Sequence, residues 1–188
     1  MEALVPAFVA ALLCQATDRA AWLSAILADR YRRPRIVALA ALIVIATGNC
    51  LAALGAQLLG PSLPPVARSE LLALALIAAG IDGLRPLRPP GRLDNWRLGP
   101  LLTPLLGLAM IVSGDRTQFF TLALAARSSA PWQAAAGAVA GALVVHVAAA
   151  HCGERAWRRL PLRGLRIVSA VIALIGGVLV ALAAFDLI

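Results

Sequence analysis

Six apolar segments, each long enough to cross a lipid bilayer, limit the folds open to this chain. A helix needs about 20 apolar residues to span a hydrocarbon layer of roughly 30 Å. The segments lie at residues 4–27, 36–59, 65–84, 100–126, 134–150 and 165–187. Hydrophobic residues make up 61% of the chain, whereas soluble domains are roughly 45–50% apolar. The pattern predicts an all-α, polytopic membrane protein with six transmembrane helices in contact with the lipid bilayer.

Arginine residues concentrate in three loops, those that follow the first, third and fifth segments. The loops on the other side hold only Arg68 and Arg127. Short cytoplasmic loops of membrane proteins collect arginine. We therefore expect the three Arg-rich loops in the cytoplasm and both termini in the periplasm. The net charge of +8 is then a consequence of topology, and no nucleic-acid partner is expected.

Two charged clusters interrupt the first and fourth apolar segments. The first contains Asp18 and Arg19, and the second contains Asp115 and Arg116. Charged residues are costly in hydrocarbon, and inside a span they usually mark a pathway for an ion or a proton. In the alternative interpretation, each aspartate only neutralises a neighbouring arginine and holds two helices together. The recurrence of the pair in matching positions favours the pathway.

The two clusters also indicate how the chain is organised. Each lies in the first of three successive apolar segments, and a Pro- and Arg-rich stretch separates the two groups. We expect a first three-helix repeat at residues 1–84, a cytoplasmic linker at 85–99 and a second three-helix repeat at 100–188. The arginine distribution makes the two repeats run in opposite directions through the membrane. Transporters of this inverted build place their site at the repeat interface, near the bilayer midplane.

The clusters resemble the signature of the Gdt-one or transmembrane protein 165 family of cation/proton antiporters, which handle manganese and calcium. That signature occurs once in each half as Glu-x-Gly-Asp-(Lys or Arg)-(Thr or Ser), commonly with Gln after the second copy. Residues 114–118, Gly-Asp-Arg-Thr-Gln, match the second copy from its glycine onward, and Asp18 with Arg19 match the core of the first. The stretches 25–31 and 121–126 are similar to the residues that follow each motif in the family.

The resemblance implies a secondary transporter that exchanges a divalent cation for protons, as Mn²⁺ export or Ca²⁺ transport, through a site around Asp18 and Asp115. It implies neither enzymatic activity nor a bound cofactor beyond the transported inorganic cation and protons. Gln15 and Val112 stand where the family has glutamates. Because ligand charge tunes the affinity for hard divalent cations, we expect weakened divalent binding.

Neutral oxygen atoms are expected to complete the ligand set. The candidate metal ligands are Asp18, Asp115, Gln15, Thr117 and Gln118. The candidate supporting residues are Thr17, Arg19, Ser113, Gly114 and Arg116. Helical spacing places Gln15 and Asp18 on one face of a continuous helix, and it directs Arg19 toward another helix or a second carboxylate. Gly114 permits local unwinding that exposes backbone carbonyl groups.

Other polar and small residues in the spans have simpler interpretations. His146 and His151 are five residues apart and do not share a helical face, so they are not expected to form a metal site, and His151 is expected at a loop edge. Asn49 either forms a hydrogen bond across helices or lines the pathway. Gly137 and Gly141 form a small-residue pattern typical of closely packed helices.

Three classes of function stay open on the sequence alone. The first is the divalent cation/proton antiporter, and the second is a transporter of the same fold with a different solute. The third is a degenerate membrane protein that does not transport. A homodimer or a second partner chain is compatible with each. The Ala-, Leu- and Arg-rich composition without Lys is typical of a GC-rich bacterial genome and indicates the bacterial inner (plasma) membrane.

Overall fold

The computed structural model describes residues 2–185, and within that range the chain forms α-helices and one short 3-10 helix but no strand. The helices are α1 (Leu4–Ala16), α2 (Arg19–Tyr31), α3 (Pro34–Leu59), α4 (Pro65–Leu84), α5 (Gly99–Val112), α6 (Arg116–Arg127), α7 (Pro131–Trp157) and α8 (Leu162–Ala184). The 3-10 turn Gly60–Ser62 follows α3. The predicted all-α class is confirmed, and the predicted end of the last span, at residue 187, lies outside the described residues.

Several of these helices have the length and apolar composition of membrane spans. Three qualify alone, namely α3 with its 3-10 extension, α7 and α8. A fourth span results when α1 and α2, which are bent by 62° at a short break, are taken together. α5 is a shorter apolar helix. The described part of the chain is therefore an all-helical membrane protein with three to four candidate spans.

The first and fourth predicted spans are broken, which corrects the expectation of continuous helices there. The first break, residues 17–18, separates α1 from α2, and Asp18 has an extended backbone with φ −104° and ψ 161°. The Thr17 hydroxyl donates to the carbonyl oxygen of Leu13 at 3.3 Å. Thr and Asp side chains compete with helical hydrogen bonds and favour helix ends. Consequently Gln15 and Asp18 do not share one helical face.

The second break, residues 113–115, separates α5 from α6. Gly114 has a φ of +78°, a conformation that glycine adopts without the steric cost of a side chain. The backbone N–H of Asp115 donates to the carbonyl oxygen of Val112 at 3.0 Å and closes a tight turn. The predicted unwinding at Gly114 is confirmed.

The two halves of the chain repeat the same helix pattern at a constant offset. α2, α3 and α4 begin at residues 19, 34 and 65, whereas α6, α7 and α8 begin at residues 116, 131 and 162, each 97 residues later. Both halves thus consist of a broken helix pair followed by two longer helices. The spacing between successive helix starts is therefore the same in both halves.

Contacts between α4 and α8 are related by the same offset. A Cβ atom added to Gly80 would meet the side chain of Leu174, and one added to Gly177 would meet Ile77 at 2.7 Å. Gly177 and Leu174 lie 97 residues after Gly80 and Ile77. Reciprocal contacts of this kind characterise a two-fold relation between two similar surfaces. The interface between α4 and α8 therefore contains the same kind of contact twice, with the roles of the two helices exchanged.

The helices α3 and α7 form the centre of the bundle and contact each other and both broken pairs. α7 approaches α1 closely, because a Cβ atom on Gly137 or Gly141 would overlap the backbone of Leu4 or Phe8. Small residues allow this approach between helix backbones. The predicted close packing at the two glycines is confirmed.

The three Arg-rich segments meet at one end of the bundle. Arg30 donates to the carbonyl oxygen of Leu93 at 2.7 Å, and Arg92 forms a 2.5 Å ion pair with Glu154. The Glu154 carboxylate raises the pKa of the Arg92 guanidinium above its usual value. Asp29 accepts a 2.7 Å hydrogen bond from the backbone N–H of Glu154. These contacts connect the last turn of α2, the segment after α4 and the end of α7.

Candidate cation site

The two breaks are joined by the side chain of Gln15, at the end of α1. Its Nε2 donates to Oδ2 of Asp115 at 2.5 Å and to Oγ1 of Thr117 at 3.0 Å. Gln15 and Thr117 are buried, and Asp115 and Asp18 are half-buried. The structure thus brings together three of the five predicted ligands, Gln15, Asp115 and Thr117, and Asp18 lies at the first break, three residues after Gln15.

The orientation of the Gln15 amide differs from the expected role of its oxygen atom. Because Nε2 faces the Asp115 carboxylate, Oε1 points the other way and accepts a 3.1 Å hydrogen bond from Nε2 of His146. Nδ1 of His146 then accepts from the Ser24 hydroxyl at 2.8 Å. His146 carries its proton on Nε2 in this arrangement, since an amide oxygen is only an acceptor. Gln15 here acts as a donor toward Asp115, and its oxygen is directed away from the carboxylates.

His146 is a site residue that the sequence analysis did not select. It is buried in α7, at a depth where a polar side chain requires partners. A lone histidine within an apolar span is a recognised signal of function, but its partners Gln15 and Ser24 are distant in the sequence. His151, expected at a loop edge, lies within α7 instead and is exposed.

The second half contains a hydrogen bond equivalent to the one between Ser24 and His146. Thr121 on α6 donates to Oδ1 of Asn49 on α3 at 2.6 Å. Thr121 and His146 lie 97 residues after Ser24 and Asn49, so each pair is the counterpart of the other. The predicted interhelical hydrogen bond of Asn49 is confirmed.

Gln118 and Ser113 form hydrogen bonds with the backbone at the second break. Gln118 donates from Nε2 to the carbonyl oxygen of Val112 at 2.9 Å, and its Oε1 accepts from the backbone N–H of Gly114 at 3.2 Å. Both ends of this amide are therefore engaged across the break. Ser113 is exposed and donates to the carbonyl oxygen of Ala109 at 2.6 Å. These contacts stabilise the turn. They do not involve the Asp115 carboxylate, which accepts a hydrogen bond from Gln15 on α1.

Arg116 pairs with Asp82 and not with the adjacent Asp115. Its NH1 lies 3.3 Å from Oδ2 of Asp82, and its NH2 donates to the carbonyl oxygen of Cys14 at 3.1 Å. Arg116 therefore holds α6 against α4 and the end of α1, and no ion pair joins it to Asp115 among residues 2–185. Arg19, expected to face a helix or a carboxylate, is exposed and has no ion pair among residues 2–185.

Arg166 completes a group that we call the Asp82 cluster, made of Asp82, Arg116 and Arg166. Arg166 NH2 lies 3.2 Å from Oδ2 of Asp82, and its NH1 donates to the carbonyl oxygen of Thr17 at 2.6 Å. Both arginines therefore bind carbonyl groups at the end of α1, where a helix leaves such groups without internal partners. The positive charges also stabilise the negative end of the helix dipole.

The sequence did not indicate the roles of Asp82 and Arg166. Asp82 lies near the end of α4, and Arg166 lies at the start of the sixth predicted span. The structure places Arg166 inside the first turns of α8, where it is only 6% exposed. A buried arginine requires compensating acceptors, which the carbonyl oxygens of α1 and α4 supply.

The site supplies few negatively charged ligands. Among the residues that the structure describes, no group of three or more His, Cys, Asp or Glu side chains is placed to hold a metal ion. A divalent cation at the two breaks would bind the Asp18 and Asp115 carboxylates and complete its shell with neutral oxygens such as Oγ1 of Thr117. Divalent cations such as Ca²⁺ accept hydroxyl, carbonyl and water oxygens alongside carboxylates.

Comparison with known proteins identifies the family. The sequence profile described as divalent cation/proton antiporter GDT1 matches residues 3–89 and 100–187. No curated protein and no solved structure matches the chain. The two matched stretches contain both breaks and extend over nearly all of the sequence. The chain therefore belongs to the GDT1 family of divalent cation/proton antiporters, as the resemblance in its motifs indicated.

Proposed function

We propose that this protein exchanges a divalent cation, Mn²⁺ or Ca²⁺, for protons at a site formed by Asp18 and Asp115. The single observation that carries the proposal is the contact of Gln15 with Asp115, which joins the two charged breaks in the interior of the bundle. Ionisable residues inside membrane segments are expensive and are usually retained for ion or proton pathways. Family membership supports the reaction class, and the contact between the two breaks supports the location that we propose for the site.

The exchange follows from competition for the same carboxylate oxygens. Asp18 and Asp115 directly precede α2 and α6, and the positive ends of these helices stabilise negative charge. A cation that enters the junction displaces protons from the carboxylates and takes the place of the Gln15 N–H donor. On release, protons and the Gln15 hydrogen bond return. Because either a cation or protons neutralise the site, only neutralised forms reorient across the low-dielectric interior.

The membrane arrangement that we propose has six crossings in two inverted repeats, residues 1–84 and 100–188, joined by a cytoplasmic linker at 85–99. Each broken helix pair then counts as one span, and α4 is an additional span. The constant 97-residue offset and the reciprocal α4–α8 contacts support this arrangement. An odd number of spans in each repeat makes the repeats antiparallel. The meeting of the Arg-rich segments at one end supports a cytoplasmic position for that end and a bacterial inner-membrane location, with periplasmic termini.

Transport of a different solute by the same fold is the second candidate function. It is favoured by the replacement of both family glutamates and by the Gln15 amide, which presents a donor to Asp115. Val112, the counterpart of Gln15 in the second half, is buried and offers no side-chain oxygen. A site with two carboxylates and a nearby N–H donor is less selective for a divalent cation than one with four carboxylates.

The test is Mn²⁺- and Ca²⁺-dependent proton movement in proteoliposomes. We expect the native protein to move protons, and we expect Asp18→Asn and Asp115→Asn to abolish the movement. Asp94→Asn, an exposed change in the linker, is the matched control and should behave as the native protein does. Proton movement that survives both site variants would contradict the proposed site. A silent native protein that becomes active when Gln15→Glu and Val112→Glu are combined would favour the second candidate.

A further inference from the structure

A pocket of about 580 Å³ lies at the Arg-rich end of the bundle, between the end of α4 and the start of α8. Its volume falls within the range of roughly 300–1,000 Å³ that is usual for ligand pockets. Four arginines line it, Arg85, Arg158, Arg163 and Arg166, and no acidic residue is among its lining residues. We call it the arginine pocket. Such a concentration of one charge favours an anionic occupant.

Much of this positive charge has no partner within the protein. Arg85 and Arg163 are exposed and form no ion pair among residues 2–185. Arg158 lies 4.0 Å from Glu154, which is already paired with Arg92 at 2.5 Å. Only Arg166 is neutralised, by Asp82. Guanidinium groups bind phosphate oxygens through paired, charge-assisted hydrogen bonds.

The remaining walls are apolar and open toward the exposed flank of the bundle. Leu84 and Ile167 line the pocket and are 54% and 43% exposed. Exposed apolar residues continue from Ile167 along α8 through Val171 and Ile175. An occupant that satisfies the whole surface needs an anionic headgroup and apolar chains.

We propose that the arginine pocket binds the phosphate of an anionic phospholipid from the leaflet at the Arg-rich end, with its acyl chains along α8. The inference concerns a site separate from the two breaks and does not depend on which cation is transported. Arg166 connects the two regions, because it lines the pocket and also binds the carbonyl oxygen of Thr17 at the first break. The bound lipid stabilises the helix arrangement around that break.

The test is lipid binding to the purified full-length chain in a neutral detergent, measured by native mass spectrometry and by thermal unfolding. Phosphatidylglycerol is compared with phosphatidylcholine and with inorganic phosphate. We expect saturable binding of phosphatidylglycerol that raises the melting temperature, at least about tenfold tighter than phosphatidylcholine. Equal binding of the two lipids, or equal stabilisation by inorganic phosphate, would overturn the proposal.

Substitutions inside and outside the arginine pocket test whether the lipid binds there. Arg85→Gln combined with Arg163→Gln should weaken phosphatidylglycerol binding about tenfold or more. Arg33→Gln combined with Arg97→Gln removes the same charge from exposed positions that do not line the pocket, and it should weaken binding less than about twofold. Equal losses in the two double variants would show a diffuse charge effect and contradict the site. Arg85→Lys combined with Arg163→Lys keeps the positive charge without the paired guanidinium donors, and it should weaken binding less than the glutamine variant does.

Discussion

The first and second breaks occupy equivalent positions in the two halves, yet they are stabilised by different means. The first break is held from outside, by Arg116 and Arg166 on the carbonyl end of α1. The second break is held from within, by the backbone of Gly114 and the amide of Gln118. The comparison shows that one repeated helix pattern supports two different local chemistries. The first half supplies a hydrogen-bond donor, the Gln15 amide, and the second half supplies the acceptor, the Asp115 carboxylate.

The largest expected loss of stability comes from a substitution at the close contact between α7 and α1. Gly141 has Val44 as its counterpart 97 residues earlier, so Gly141→Val makes α7 resemble α3. The new side chain meets the backbone of Phe8, which cannot move away as a flexible side chain can. We expect a loss of about 2–4 kcal/mol in the free energy of unfolding. Gly164→Val, at a position with open space around it, is the control in thermal unfolding, and equal losses would contradict the packing argument.

The second-largest loss of stability should come from a substitution in the Asp82 cluster. Asp82→Asn leaves Arg116 and Arg166 without their shared carboxylate, whereas the counterpart of Asp82, Leu179, carries no charge. Asp82 is 41% exposed, so solvent screening reduces the expected destabilisation to about 1–2 kcal/mol. Thermal unfolding in detergent checks this, with Asp94→Asn as the charge-matched control. An unchanged melting temperature would mean that the carbonyl oxygens alone satisfy both arginines.

The histidine in the interior gives a smaller effect. His146→Asn copies Asn49, its counterpart, but the shorter side chain does not reach both Gln15 and Ser24. Loss of one buried hydrogen bond should cost about 1 kcal/mol, and the released Gln15 amide should alter the pH dependence of proton movement. His151→Asn, at an exposed position of the same helix, should change neither quantity. Identical behaviour of the two histidine variants would remove His146 from the site.

The smallest effect should come from the backbone conformation of Gly114 in the second break. Gly114→Ala places a side chain at a φ of +78° and should destabilise the protein by about 1 kcal/mol. Thr17, its counterpart in the first break, already carries a side chain, at a φ of −111°. Gly176→Ala, where an added Cβ meets its nearest neighbour at 3.9 Å, is the control and should not destabilise the protein. Melting temperatures of both variants in the same detergent test this difference, and equal losses would show that backbone strain does not distinguish the breaks.

Hydropathy predicted the positions of several helices. The third predicted span, residues 65–84, coincides with α4, and the second differs from α3 by two residues at its start. The breaks at Thr17 and Asp18 were not predicted, because an average over 20 residues is insensitive to two that leave the helix. At Gly114 the glycine itself was the signal, since only its backbone freedom distinguished a turn from a helix.

Three of the predicted ligands lie in contact with one another, but most of the contacts around them were not predicted. Local motifs identified Gln15, Asp115 and Thr117, which the fold brings together. The partners of Arg116 and Gln15 were missed, because Asp82 and His146 lie on other helices and far away in sequence. Their pairing depends on tertiary packing, which residue spacing within one segment does not describe.

The reciprocal contacts between α4 and α8 have a consequence for substitutions in this interface. Gly80 and Ile77 together carry both sides of a contact that the chain makes twice, with Leu174 and Gly177 as the other copies. A larger residue at Gly80 or at Gly177 therefore disturbs one copy of the contact directly and leaves the residues of the other copy unchanged. The interface has redundancy that neither break possesses.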